Sequence, residues 1–102
     1  MKQFLFFILV ISQLSIQAQA TISGKVTDNK GVAIEGVNVY LKGTYDGTST
    51  DENGRFSFVT ITKGIQTLVA SFMSYETFSK SASIAAFKNI QIKLRDDVNT
   101  LD

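Results

Sequence analysis

Residues 48–58 read Thr-Ser-Thr-Asp-Glu-Asn-Gly-Arg-Phe-Ser-Phe, the densest run in this chain of groups that could do chemistry. Carboxylate and amide oxygens suit a hard cation, so Asp46 through Asn53 form a candidate calcium loop, although no acidic ligand follows at the EF-hand distance. Asp51 and Glu52 are also a possible pair of carboxylates for acid and base work. Adjacent strand residues point to opposite faces, however, and the two would not converge on one substrate bond if a strand runs through them. Tyr40, Tyr45 and Tyr75 supply rings on which a sugar could stack. Single tyrosines equally fit a half-buried pleated surface, and no convergent set of polar partners accompanies these three.

The bland reading of the same stretch is a turn. Asp51-Glu52-Asn53-Gly54 contains the residues that make Asx turns and tolerate positive φ, and Phe56 and Phe58 then fall on one face of the following strand. The sequence favours this reading, as a hairpin.

Other chemistry is closed by composition. The 102 residues include no Cys, His, Trp or Pro. Without Cys there is no disulfide framework and no thiolate; without His there is no ordinary zinc site, no Ser–His dyad and no imidazole acid or base. No catalytic, cofactor-binding or metal-ligating residue is therefore assigned, and an enzyme is not expected.

The first twenty residues read as an export signal. Lys2 gives a basic start, Phe4 to Ile11 is an unbroken apolar run, and Ala18-Gln19-Ala20 has the small-x-small form of a cleavage site, placing the cut between Ala20 and Thr21. The apolar run is shorter than the roughly 20 residues that span a bilayer, and no Cys follows it to carry a lipid. Losing Lys2 leaves nine basic and nine acidic side chains. The lysines and Arg55 lie scattered among apolar positions along the sequence, which argues against an electrostatic grip on nucleic acid.

From Thr21 onward the hydrophobic period is two, the spacing of strands with one buried face. Ile22, Gly24 and Val26 alternate with polar residues before an Asp28-Asn29-Lys30-Gly31 turn; Val37, Val39 and Leu41 do the same before Gly43. Leu68 to Met73 is nearly all apolar, as in a central strand covered on both sides. Phe78 and Ile84 continue towards an edge, Ala82 to Phe87 forms at most a turn, and Ile90, Ile92 and Leu94 mark a last strand. Short strands punctuated by Gly and Asx residues predict an all-β sandwich. Val26, Val39, Leu41, Phe56, Phe58, Leu68, Phe72, Ile90, Ile92 and Leu94 are the expected core, and Phe58→Ala is expected to cost about 3–5 kcal/mol. A single domain without disulfides at this length has a stability on the order of 5 kcal/mol.

Four blocks now stand in a recognisable order: Ile22-Ser-Gly-Lys-Val-Thr-Asp28, Gly36-Val-Asn-Val-Tyr-Leu-Lys-Gly-Thr44, Gly47 through Phe58, and Leu68-Val-Ala-Ser-Phe-Met-Ser-Tyr-Glu-Thr77. Together they resemble the carboxypeptidase-regulatory-like domain. The resemblance implies a transthyretin-like, seven-stranded Greek-key β-sandwich over residues 21–95, with 96–102 as a polar tail or linker. It also implies a place directly after the signal peptide of a Bacteroidota TonB-dependent, SusC-like outer-membrane receptor. A periplasmic location and a receptor plug, barrel or other envelope protein as partner would follow. The chain looks cut at Asn99-Thr-Leu-Asp102, where such a receptor would continue; a stand-alone secreted module binding glycan or calcium is the alternative. Two departures from the pattern stand out: Val32-Ala-Ile-Glu-Gly36 lacks the usual proline, and Ser74-Tyr75 replaces a Gly-Tyr pair. The second asks Ser74 for a backbone geometry that Gly accepts more easily. No metal ligand or nucleophile carries over to any position.

Overall fold

The computed structural model describes residues 18–97. Most of the expected leader and residues 98–102 of the expected tail lie outside the described residues. Seven strands form two sheets: β1 (Ala20–Thr27), β2 (Asn38–Leu41), β3 (Gly47–Ser49), β4 (Arg55–Thr60), β5 (Ile65–Ser71), β6 (Phe78–Ser83) and β7 (Ile90–Lys93), with one 3-10 turn at Ile84–Phe87. The first sheet runs β4-β1-β7 and the second β3-β2-β5-β6. All pairings are antiparallel except β1 with β7. A seven-stranded all-β sandwich is thus the architecture: the period of two predicted the class, and the resemblance implied the seven strands.

The alternation works as a binary code for the two faces. In the first sheet Ile22, Val26, Phe56 and Ile92 point inward, and in the second Val39, Leu41, Leu68 and Ala70 meet them. Phe58, Phe72 and Ile90, expected in the core, pack against it while staying half exposed. Truncating Phe58 should therefore cost less than the value for full burial.

One other expectation needs correction in part, and the turn expected within 82–87 is present. β5 is internal to its sheet, as expected, and Val69, register partner of Tyr40 on β2, is buried on its outer side, but the apolar run extends past the strand to Met73, which is 80% exposed. The apolar run outlasts the strand because the chain turns at Phe72–Tyr75, where the Tyr75 N–H donates to the Phe72 carbonyl at 3.2 Å. The 3-10 turn also contributes more than a connection: Ile84 and Phe87, three residues apart, share one face and are both buried.

The turn at Phe72–Tyr75 bears out the expectation for Ser74, whose φ is +73°. It is the third residue of the turn, the position at which a type II turn wants Gly. Its carbonyl accepts the Asp97 N–H at 3.0 Å, and Glu76 N–H donates to Arg95 at 2.8 Å, so the chain stays hydrogen-bonded beyond β7. Ser74→Gly should relieve the left-handed strain and stabilise by about 0.5–1 kcal/mol, read as a rise in Tm. An unchanged or lower Tm would show that the turn stores no strain.

Candidate ligand loop and the β3–β4 corner

Asp51 organises the loop that the sequence singled out. Its Oδ1 accepts the backbone N–H groups of Asn53 and Arg55, both at 2.9 Å. Its main chain closes the turn, with its N–H bonded to the Arg55 carbonyl and its carbonyl to the Gly54 N–H, each at 2.9 Å. This is Asx-turn chemistry. Gly54 has a φ of +75°, and a Cβ there would lie 2.5 Å from the Val26 carbonyl oxygen.

The turn reading holds, but the hairpin does not. β3 pairs with β2 in the second sheet, whereas β4 pairs with β1 in the first. The loop is therefore a corner between sheets. Thr50, at its start, is the joint: its buried Oγ1 accepts the Val37 N–H at 2.9 Å and donates to the Ile34 carbonyl at 2.7 Å. Through these bonds Thr50 holds the proline-free approach to β2 in place. Thr50→Val would orphan both backbone groups at nearly unchanged volume, with an expected loss of about 2 kcal/mol in denaturant unfolding. A loss below a few tenths would mean that water replaces the hydroxyl.

The candidate site residues do not converge. Asp46 sits at the other end of β3, where its Oδ2 accepts the Thr60 hydroxyl at 2.6 Å. Asp51 and Glu52 both occupy the exposed turn before β4, so the strand argument about opposite faces does not reach them. Among the described residues no group of three or more His, Cys, Asp or Glu is placed to hold a metal ion. Of the tyrosines, Tyr45 is fully exposed in the β2–β3 loop and Tyr40 is half-buried on the outer face of β2. Tyr75 is packed against the core, its ring 6.1 Å from that of Phe72, so it cannot extend a stacking platform with the others.

What the sequence missed is a recess on the outer side of the first sheet, of about 270 Å³, bordered by Ser23, Arg55, Ser57 and Asn89. The Asn89 N–H donates to Ser23 Oγ at 3.1 Å, and Asn89 itself has a φ of +58°. Its signal was present in the alternation, since Ser23, Arg55 and Ser57 all take the outward phase, but nothing in the sequence says that these strands are neighbours.

The comparisons with known proteins agree with this geometry. The family model for the CarboxypepD_reg-like domain matches residues 22–102. The chain is 39% identical over 88 residues to TonB-dependent receptor P39 of Formosa agariphila, and 38% identical over 92 residues to TonB-dependent receptor SusC of Bacteroides thetaiotaomicron. These alignments cover 86% and 87% of this chain but only 8% and 9% of the receptors' length. In fold it is similar to a chain from the crystal structure of a type II cohesin–X-dockerin complex of Acetivibrio cellulolyticus, with a TM-score of 0.66 at 22% identity, over 76% of this chain and 58% of that one. The sandwich, the corner built on Asp51 and a match running through nearly the whole domain lead to one conclusion: this chain belongs to the CarboxypepD_reg-like domain family.

Proposed function

We propose that the chain is a non-catalytic interaction module that follows a cleaved export signal and stands at the N-terminus of a TonB-dependent outer-membrane nutrient receptor, on its periplasmic side. The observation that carries this reading is the identity of 38–39% to receptors about ten times longer, spread over nearly the whole domain. A sandwich whose described residues bring no candidate catalytic groups together suits a module that docks rather than reacts. The plug, the barrel or another envelope protein is its natural partner, and unpaired strand edges such as the outer side of β6 offer backbone groups for docking.

The rival, a secreted module that itself takes calcium or glycan, has less to stand on. The Asp51 carboxylate is already committed to two backbone N–H groups, and Tyr75 is turned into the core. Calorimetry with calcium and with oligosaccharides should give no heat.

The receptor reading is tested by the mass and location of the native polypeptide, detected with an antibody against residues 21–95 in fractionated cells. A band many times heavier than this chain, in the outer-membrane fraction, is the expected result. A band no heavier than the chain, in the soluble periplasm, would overturn it. N-terminal sequencing of the same band places the leader's cut, expected before Thr21.

A further inference from the structure

Charge in this domain is sorted by position. Every acidic residue in the described chain (Asp28, Glu35, Asp46, Asp51, Glu52, Glu76, Asp96 and Asp97) lies in a loop or turn, whereas the strands carry only cations. Three of those cations meet on one face. Lys25 on β1 stands directly opposite Arg55 on β4, and Thr27, two residues along β1, is paired with Lys93 on β7. All three take the outward phase, because Val26, Phe56 and Ile92 point into the core. The rest of that face is Thr, Ser, Gln and Val, without a carboxylate.

Like charges directly opposite each other on a ladder destabilise it. Neither Lys25, Arg55 nor Lys93 has an ion pair among the described residues. Beside Arg55 lies the recess bordered by Ser23 and Ser57, where Ser23 Oγ accepts from Asn89 and keeps its own proton to donate. Asp51 also borders it, but its Oδ1 is held by two backbone N–H groups.

We infer that the outer face of the β4-β1-β7 sheet is a docking surface for an acidic, extended polypeptide segment of a partner protein, whose carboxylates pair with Lys25, Arg55 and Lys93. Charge complementarity selects the anion. The recess is rimmed by the Arg55 guanidinium, two hydroxyls and the Asp51 carboxylate, whose Oδ1 is engaged by backbone N–H groups; it is narrow enough to take a single projecting side chain that pairs with Arg55, rather than the flat plane of a lipid surface. This deepens the interaction-module reading and rests on it, and it is tested in vitro, apart from the question of which larger protein carries the domain.

The test is a titration of the protein with a short poly-glutamate peptide, followed by NMR at low and high salt. Shifts should be confined to the amides of β1, β4 and β7 around Lys25, Arg55 and Lys93 and should vanish at high salt. The variant K25Q/R55Q/K93Q should bind about tenfold more weakly, which is about 1.4 kcal/mol. Without peptide, Lys25→Gln should raise Tm by about 1–2 °C at low salt only, because it removes the unpaired repulsion. Shifts that fall elsewhere, binding unchanged in the triple variant, or a lowered Tm for Lys25→Gln would each overturn the proposal. Tighter association with phosphatidylglycerol vesicles than with the peptide would overturn it too, making a lipid surface the occupant.

Discussion

Phe87→Ala is expected to cost about 3–5 kcal/mol, comparable with the entire stability of a disulfide-free domain this small, and so to leave it largely unfolded. Phe87 is the largest fully buried side chain among the described residues, with no exposed area, and it closes the core from a 3-10 turn rather than from a strand. Deleting its ring opens a void between the sheets that the short turn, tied at both ends, cannot collapse to fill. Phe58→Ala is the control: Phe58 is half-buried, and its truncation exposes less new apolar surface to a void. Denaturant unfolding of the two variants should rank them in that order. Equal losses would mean that the turn relaxes into the gap.

Gly24→Ala should be comparably severe, at about 3 kcal/mol, although it adds only one carbon. A Cβ at Gly24 would sit 2.1 Å from the Ile90 carbonyl oxygen, 2.8 Å from Ile90 Cγ2 and 2.9 Å from Phe56 Cζ. The first of these is backbone, so the strain cannot be released by a rotamer change. β7 would have to move away from β1, breaking the one parallel pairing in the sandwich at its first rung, Gly24 with Ile90. Loss of hydrogen-exchange protection along Ile90–Lys93, together with the fall in stability, is the expected signature. Retained protection there would show that β7 tolerates the methyl and that the ladder is less tightly registered.

These two positions also mark where reading the sequence succeeds and where it stops. Val26, Val39, Leu41, Leu68, Ile92 and Leu94 were legible as core because alternation is local: each residue's face follows from its neighbours along one strand. The Asp51 turn was legible for the same reason, since its hydrogen bonds span only two to four residues. The left-handed strain at Ser74 could be anticipated from the Gly expected there. Gly24, by contrast, is simply a small residue in the apolar phase until β7 is laid across it. Phe87 belongs to a stretch with no strand period, and its i, i+3 relation to Ile84 acquires meaning only once the sheets leave a gap for both.

By itself, then, the sequence determined the class of elements, the turns, the absence of His and Cys chemistry and the family. The tertiary structure decided which strands stand side by side. That choice put β3 and β4 in different sheets, turning the expected hairpin into a corner held by Thr50, and it packed Tyr75 away from Tyr40 and Tyr45. It also gathered Lys25, Arg55 and Lys93, scattered over nearly seventy positions of sequence, onto one face. The physical reason is common to all three. Propensity and alternation act over a few residues, whereas lateral pairing is settled by the packing of the whole core, in which each strand's partner depends on every other strand's.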